Sequence, residues 1–187
     1  MNFMLNNPKA ASWHVAYTMP RSERKAYESL GQLGITSFFP VQYVWRQWSD
    51  RIKKLELPLF PNYIFVHTTP HKRHEAMNVK EVIRYVCFDG KPAVVTDNLL
   101  ESLKKISGNN VEVVDHTFDK PGMPVMICQG PFSGVQGELI RKNGRCKLLI
   151  RIESLCSSIS MEIDASAVAP LDDNFIFNNN ETLYAHP

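Results

Sequence analysis

Hydrophobic and polar residues first alternate as in a strand and then recur as on one side of a helix. Trp13, Val15 and Tyr17 alternate with other side chains, which is the period of a half-buried strand. A helix is predicted next, because Ser22 has the chemistry of an N-cap and Gly34 that of a left-handed stop. The apolar side of that helix consists of Ala26, Tyr27, Leu30 and Leu33.

The most apolar stretch of the chain covers residues 57–69. Residues 63–66 are an unbroken run of aromatic and β-branched side chains, which predicts a strand covered on at least one face. Pro58 and Pro61 lack a backbone N–H donor and cannot lie inside a central ladder. They predict a stiff entry loop that leaves Phe60 beside the start of the strand.

Residues 36–44 predict a second strand before this stretch, and residues 45–55 predict a long loop between the two strands. Long loops in compact domains are usually functional or mobile. This loop contains Trp45 and Trp48 among basic residues, and such a mixture is able to hold phosphates and stack bases. The alternative, a loop that only packs onto the sheet, is open at this point. Its basic residues are Arg46, Arg51, Lys53 and Lys54.

Turn and cap signals divide the rest of the first half. Thr69-Pro70 has the N-cap and N1 chemistry of a second helix, Asp89-Gly90 is a strong hairpin signal, and Thr96 caps a third helix. The predicted order is β-α-β-β-α-β-β-α. This order predicts an α+β fold, in which an antiparallel four-stranded sheet is flanked by helices.

The pattern changes in the second half. Residues 109–121 mix Asn, Asp, Pro and Gly and are predicted to be a linker. From residue 122 short apolar runs recur at regular spacing, which is typical of a small all-β barrel, and Asn143-Gly144 predicts a hairpin turn inside it. Five strands are predicted, over residues 125–128, 137–141, 146–152, 158–163 and 168–171. Residues 1–11 and 172–187 are predicted to be a disordered N-terminus and a flexible tail.

Charge is distributed unevenly between the two halves. The 187 residues carry a formal net charge of +2 and are 44% hydrophobic, which suffices for one or two packed domains. Residues 1–106 contain 15 Lys and Arg against 9 Asp and Glu, whereas residues 107–187 contain 6 against 10. A basic first half is compatible with a polyanionic partner.

Cysteine usage and hydropathy predict a cytoplasmic protein. The four cysteines lack a Cys-x-x-Cys pair, which argues against zinc knuckles, redox motifs and disulfide scaffolds. The first residues lack the pattern of a signal peptide, and no apolar run is long enough for a membrane span, so no membrane partner is predicted. The cysteines are Cys87, Cys128, Cys146 and Cys156.

Catalytic and metal-binding patterns are not found in the sequence. His67, His71 and His74 lie close together, but no cysteine joins them, so neither a metal site nor a cofactor is predicted. No nucleophile–base pairing, Gly-rich phosphate loop or paired-carboxylate spacing occurs. We therefore predict a protein that is not an enzyme.

Two motifs resemble those of one known family. The first motif, Pro58-Leu59-Phe60-Pro61-Asn62-Tyr63, resembles the signature of the NusG family of transcription factors. Its residues are more similar to those of the specialised RfaH- and UpxY-like paralogues than to those of the housekeeping member. In the second half, Gly122-x-Pro124-Val125 followed by Gly130-Pro131-Phe132-x-Gly134-x-x-Gly137-x-Leu139 resembles a KOW motif, which forms an SH3-like barrel. The two motifs stand in the family's order.

The resemblance implies a domain organisation and a function. A NusG N-terminal-like domain is expected over residues 12–108 and a KOW domain over residues 122–171. The implied function is transcription elongation and antitermination, of the operon-specific kind found in specialised members. The implied protein is a monomer that binds RNA polymerase across its cleft and suppresses pausing or termination. The KOW domain of such proteins recruits a further partner, such as a ribosomal protein or Rho.

The resemblance also implies site residues. The surface that docks on the β′ clamp helices is expected to include Tyr17, Phe60, Pro61 and Tyr63, and the contact with the β subunit falls at His74. Phe132 lies in the loop expected to meet the partner of the KOW domain. The resemblance also places Arg21, Arg24, Lys25 and Lys80 where specialised members meet non-template single-stranded DNA. From the residues themselves we predict that the basic side chains at 46, 51, 53 and 54 extend this positive face.

One other class of function is open. A KOW protein associated with the ribosome or with RNA, which never binds polymerase, would share the second half of the chain. It gives no reason for the Pro-Leu-Phe-Pro-Asn-Tyr segment.

Overall fold

The structure, a computed structural model, describes residues 10–109, 111–115, 122–142 and 145–171. It divides into two compact units, of which one ends at Val95 and the other begins at Thr96. The predicted tail, most of the predicted N-terminus and the Asn143-Gly144 turn lie outside the described residues. The predicted domain bounds stay a prediction.

The first unit is built around an antiparallel sheet. Its elements are β1 (Ser12–Thr18), α1 (Glu23–Gln32), β2 (Ser37–Phe38), β3 (Val41–Gln47), β4 (Ile52–Pro58), β5 (Tyr63–Thr68), α2 (Arg73–Met77), β6 (Val82–Tyr85), β7 (Cys87–Phe88), β8 (Lys91–Pro92) and β9 (Val94–Val95). The strand order is β2-β5-β1-β6, and β9 pairs with β1 as a fifth strand. This architecture confirms the predicted α+β class.

Strand alternation separates the two faces of the main sheet. Ala16, Ile64 and Val66 point to the side where α1 and α2 pack, which we call the helix face. Their buried cluster is completed by Ala26, Leu30, Ala76, Val79, Val82 and Tyr85. Trp13, Val15 and Tyr17 of β1 lie on the opposite side, together with Tyr63, Phe65 and His67 of β5, and we call this side the tyrosine face.

The segment predicted as a long loop is instead a β-hairpin. β3 pairs with β4 over their full length, from Val41 opposite Pro58 to Gln47 opposite Ile52. Most residues of β4 are exposed, and its charged residues occur on both faces. The alternation that reveals a half-buried strand is therefore missing.

Other predicted elements are present with changed bounds. The second helix begins at Arg73 rather than next to Thr69-Pro70, because a turn in which the N–H of Lys72 donates to the carbonyl of Thr69 (3.1 Å) comes first. The Asp89-Gly90 turn is present, with φ values of 49° and 76°, and joins β7 to β8.

The second unit contains one helix and an antiparallel sheet. Its elements are α3 (Asp97–Ile106), β10 (Glu112–Asp115), β11 (Met123–Ile127), β12 (Gln136–Lys142), β13 (Arg145–Ile152), β14 (Ser157–Glu162) and β15 (Val168–Pro170), with short 3₁₀ turns at Glu153–Leu155 and Ala165–Ala167. The strand order is β10-β14-β13-β12-β11-β15. Six strands are seen where five were predicted, because β10 lies inside the segment predicted as a linker. The sheet is consistent with a KOW-type β domain.

Close packing fixes one glycine of the predicted KOW motif. A Cβ atom on Gly137 would lie 2.6 Å from the carbonyl oxygen of Leu149 on the neighbouring strand β13. No side chain fits at that distance, so the requirement for glycine comes from strand approach and not from a turn.

Candidate functional site

Pairs of aromatic rings follow the tyrosine face of the main sheet. Trp13 lies against His67 with ring centroids 4.9 Å apart, and Tyr17 meets Tyr63 edge to face at 5.4 Å and 70°. The centre of the row is fully buried at Phe65, whereas the two tyrosines are half-buried. The row therefore ends in an aromatic pair that is partly open to solvent.

The turn before β5 separates the residues of the sequence motif by burial. Phe60 is only 3% exposed and packs edge to face on Phe65, with centroids 6.4 Å apart. Pro61 is exposed, and Asn62 adopts a φ of 69°, which Asn tolerates better than most residues. Phe60 therefore supports the turn from inside, and its side chain is not presented on the surface as the docking role expected of it requires.

A buried carboxylate fixes this turn to helix α1. The backbone N–H of Asn62 donates to Oε1 of Glu23 at 2.7 Å, and Glu23 is only 5% exposed. The carbonyl of Asn62 accepts from the N–H of Thr18 at 2.8 Å, which also binds the turn to β1. Sequence reasoning missed Glu23, because an acidic residue in the first turn of a helix is common and does not reveal burial.

Arg84 is a second residue that sequence reasoning missed. It lies opposite Tyr17 across β1 and β6, and its guanidinium carbon is 5.6 Å from the centroid of the Tyr17 ring. Arg84 is exposed and adds a positive charge beside the aromatic pair. We call Tyr17, Pro61, Tyr63 and Arg84 the tyrosine patch.

His74 lies elsewhere on the first unit. It is exposed on α2, whose Ala76 packs into the cluster on the helix face. The tyrosine patch is on the opposite face, so the structure does not bring His74 together with the other residues expected to contact polymerase.

Three of the cations expected to bind DNA are paired with carboxylates, of which Arg51 lies 3.9 Å from its neighbour Asp50 in the hairpin and the other two are on α1. Arg24 forms an ion pair with Glu56 of β4, and Lys25 donates to Oε1 of Glu81 at 2.8 Å. Glu81 is 6% exposed, and the hydrogen bond from Lys25 lowers the pKa of Glu81 while it raises the pKa of Lys25. A phosphate must compete with these carboxylates for both cations of α1.

The other cations expected on α1 and before β6 are exposed. Arg21 has a φ of 59° in the turn where the N–H of Ser22 donates to the carbonyl of Met19 at 3.1 Å. This left-handed conformation is uncommon for Arg and often occurs at functional positions. Lys80 is exposed next to the buried Glu81.

All four basic residues of the hairpin are exposed. Trp45 and Trp48 are 66% and 57% exposed, so more than half of each side chain is open to solvent. Lys54 lies over the ring of Tyr43, with Nζ 4.0 Å from the centroid.

Phe132 lies in a loop of the second unit that is held by several hydrogen bonds. The N–H of Val135 donates to the Phe132 carbonyl at 3.0 Å, and Nζ of Lys105 donates to the Ser133 carbonyl at 2.8 Å. Phe132 itself is half-buried. Part of its ring is therefore available to a partner.

Clusters of metal-ligating side chains and membrane-spanning helices are absent from the described residues. In that part of the chain, no group of three or more His, Cys, Asp or Glu side chains is placed to hold a metal ion. No helix in the same residues is both long and apolar enough to cross a membrane.

Comparison with known proteins identifies the family. The family described as transcription termination factor NusG matches residues 11–104, which is half of the chain. A solved structure described as "Domain interaction in Thermotoga maritima NusG" is 22% identical, with a TM-score of 0.46, and the match covers 87% of this chain and 98% of that chain. Members of the family are not enzymes and bind RNA polymerase. The chain belongs to the NusG family of transcription elongation and termination factors.

Proposed function

We propose that this chain is a specialised NusG-type factor, which binds RNA polymerase across its cleft and suppresses pausing or termination on particular operons. The tyrosine patch carries the proposal. Tyr17 and Tyr63 are half-buried and their rings are in contact. Pro61 is exposed and lies in a turn that is hydrogen-bonded to both α1 and β1. Rigid, partly open aromatic side chains are typical anchors of protein interfaces.

The partner surface is apolar with an acidic component. The aromatic rings and Pro61 suit an apolar helical surface, and Arg84 suits a carboxylate at its margin. The resemblance to RfaH- and UpxY-like proteins assigns this surface to the clamp helices of the β′ subunit. His74, on the other face of the sheet, is assigned to the β subunit on the same basis.

A bridge between the two sides of the cleft acts by differential binding. If both contacts form only in the closed, elongating state, the bound protein shifts the polymerase toward that state and away from the paused state. The protein supplies no catalytic group. Antitermination then depends on binding free energy alone.

Nucleic acid and a further partner complete the proposal. Arg21 and Lys80 are exposed cations that suit the non-template single strand, and Arg24 and Lys25 join them when phosphate displaces Glu56 and Glu81. In the second unit, Phe132 and its loop are assigned to a ribosomal protein or Rho.

Capture of core RNA polymerase from a bacterial lysate tests the main proposal. The tagged full chain is expected to retain the polymerase, and a Tyr17→Ala/Tyr63→Ala variant is expected to lose it. Tyr27→Ala is the matched control, because Tyr27 is a 43% exposed tyrosine on α1 outside the patch. Retention by the double variant, together with loss in Phe132→Ala, would instead support a KOW protein that acts through its second half.

Crosslinking to the exposed non-template strand of a paused complex tests the DNA contact. Arg21→Ala/Lys80→Ala is expected to lose the crosslink and the antitermination activity, whereas Lys91→Ala, at another exposed cation of the first unit, keeps both. If the double variant keeps both, the assigned DNA-binding residues are wrong.

A further inference from the structure

Two positive charges face each other across the β3–β4 hairpin. Arg46 and Lys53 are directly opposite residues in the antiparallel register, and both are exposed. Neither forms an ion pair with any other residue that the structure describes. Like charges at directly opposite positions destabilise a strand pair, so this arrangement costs stability in the free protein.

An indole and a third cation continue the same side of the hairpin. The N–H of Trp48 donates to the carbonyl of Arg51 at 2.8 Å, so strand pairing extends one step beyond β3 and β4. Because side chains alternate along a strand, Trp48 and Arg51 fall on the side of Arg46 and Lys53. We call these four residues the cationic face.

The opposite side of the hairpin has different surroundings. Alternation places Glu56 and Lys54 there, and Glu56 is ion-paired with Arg24 of α1 while Lys54 lies over Tyr43. The hairpin is therefore attached to α1 through the side that does not carry the cationic face. That attachment leaves the cationic face open.

From these observations we infer that the cationic face is a binding site for single-stranded nucleic acid, in which Arg46 and Lys53 hold the backbone phosphate and Trp48 stacks on a base. The inference deepens the nucleic-acid part of the proposed function and rests on it. A phosphodiester placed between the two cations removes their repulsion, so the unfavourable arrangement of the free hairpin becomes favourable in the complex.

The indole decides which nucleic acid fits. Trp48 is 57% exposed, and base stacking on an aromatic ring requires an unpaired base. A duplex presents phosphates but no free base faces, so it would contact Arg46 and Lys53 without stacking on Trp48. An acidic protein surface also uses only the cations, and the exposed ring then contributes little.

Anisotropy of labelled single-stranded DNA and RNA with the purified full chain tests the inference. Lys53→Glu is expected to weaken binding about tenfold or more and to reduce the log–log salt slope by about 0.7 for each lost phosphate contact. The same variant places Glu opposite Arg46, so its thermal midpoint is expected to equal or exceed that of the wild type. A structural role alone would not change affinity and stability in opposite directions.

Lys54→Glu is the matched control, because Lys54, although expected from the sequence to bind DNA, lies over Tyr43 on the other side of the hairpin. It changes the net charge by the same amount at the adjacent position, but on the side away from the cationic face. It is expected to weaken binding far less than Lys53→Glu. Trp48→Ala is expected to weaken single-strand binding by roughly 5- to 150-fold through lost stacking, with little effect on binding of duplex DNA.

Several results would overturn the inference. These are the absence of single-strand binding by the wild type at low salt, equal losses of single-strand affinity in Lys53→Glu and Lys54→Glu, equal competition by duplex DNA, and a lower thermal midpoint in Lys53→Glu.

Polymerase capture by Lys53→Glu is expected to be unchanged, because the tyrosine patch is intact. Failure of the wild type to capture polymerase would contradict the proposed function, while the oligonucleotide measurements would still decide the role of the hairpin.

Discussion

Residues 60–63 differ in burial from one position to the next, although they are adjacent in one motif. Phe60 is a core residue and Pro61 is exposed. Mutation of Phe60 is therefore expected to affect mainly stability, and mutation of Pro61 mainly binding. Phe60→Ala is expected to lower the free energy of unfolding by about 3–5 kcal/mol, as in other large-to-small core changes. Pro61→Ala is expected to lower it by about 1 kcal/mol or less.

Urea unfolding of both variants checks these values. Polymerase capture is compared at temperatures where both variants are folded. Relative to the unfolding free energy that each variant loses, Pro61→Ala is expected to weaken capture more than Phe60→Ala does. A stable Phe60→Ala variant that has lost polymerase binding would contradict the burial of this ring and restore its expected contact role.

His14 gives the first unit a dependence on pH. It is 4% exposed and its Nδ1 lies 2.9 Å from the carbonyl oxygen of Ala93. Burial lowers the pKa of His14, the hydrogen bond to Ala93 opposes this, and the charges of Arg73 and His67 lower it further. The folded state therefore binds a proton at His14 less readily than the unfolded state does.

Linkage gives the sign of the effect. As pH falls below about 6.5, the unfolded chain takes up a proton at residue 14 before the folded chain does, so the free energy of unfolding decreases. His14→Gln is expected to show a weaker decrease between pH 7.5 and 5.5 than the wild type. Parallel pH curves for the wild type and His14→Gln, measured by urea unfolding, would show that the pKa of His14 is not lowered.

Elements with local signals were predictable and elements without them were not. The side chain of Thr96 accepts a hydrogen bond from the N–H of Leu99 at 3.3 Å, so the cap predicted for α3 is present. β4 was missed because its largely exposed residues leave no period of 2, and β10 was missed because Glu112 and Asp115 surround a short apolar pair. Register and long-range pairing decide such strands, and a local pattern does not contain them.

The candidate site was predictable to the same limited extent. Tyr17 and Tyr63 were found through the family resemblance, and the structure places their rings in contact. Arg84 and Glu23 were not found, since their roles depend on which strands and turns lie next to them. The pairing of Arg24 with Glu56 likewise joins two elements that are distant in the sequence.

Helix α1 is expected to control the turn before β5 through Glu23. Glu23→Ala leaves the partly buried N–H of Asn62 without its carboxylate acceptor, and this is expected to cost about 1.5–3 kcal/mol. Glu23→Gln retains an acceptor oxygen and is expected to cost less. Glu28→Ala, at an exposed position of the same helix, is the control.

Chemical unfolding and polymerase capture together test this control of the turn. Glu23→Ala is expected to lose affinity for polymerase beyond its loss of folded protein, because the position of Pro61 is no longer fixed. If Glu23→Ala and Glu28→Ala are equally stable, the bond from Asn62 does not hold the turn.

For the whole molecule, the division of the described residues at Val95 and Thr96 places α3 and β10 with the second sheet. β10 pairs with β14 from Glu112 opposite Ser160 to Asp115 opposite Ser157, and Lys105 of α3 bonds to the carbonyl of Ser133. Both additions lie before residue 122, where the sequence pattern predicted the KOW domain to begin.

Fragments of the second half are therefore expected to differ in stability. Residues 96–171 retain both additions, 111–171 retain β10 alone, and 122–171 lose both and expose the edge of β14. An unpaired edge strand costs hydrogen bonds and promotes association between copies. Thermal midpoints are expected to fall in the order 96–171, 111–171, 122–171, and only the shortest fragment is expected to associate at high concentration.

Circular dichroism is the measurement for the midpoints, and size-exclusion chromatography is the measurement for association. Equal midpoints would show that the sheet is complete from residue 122, and a predominantly helical spectrum of the shortest fragment would show that β10 is needed for the strand fold itself.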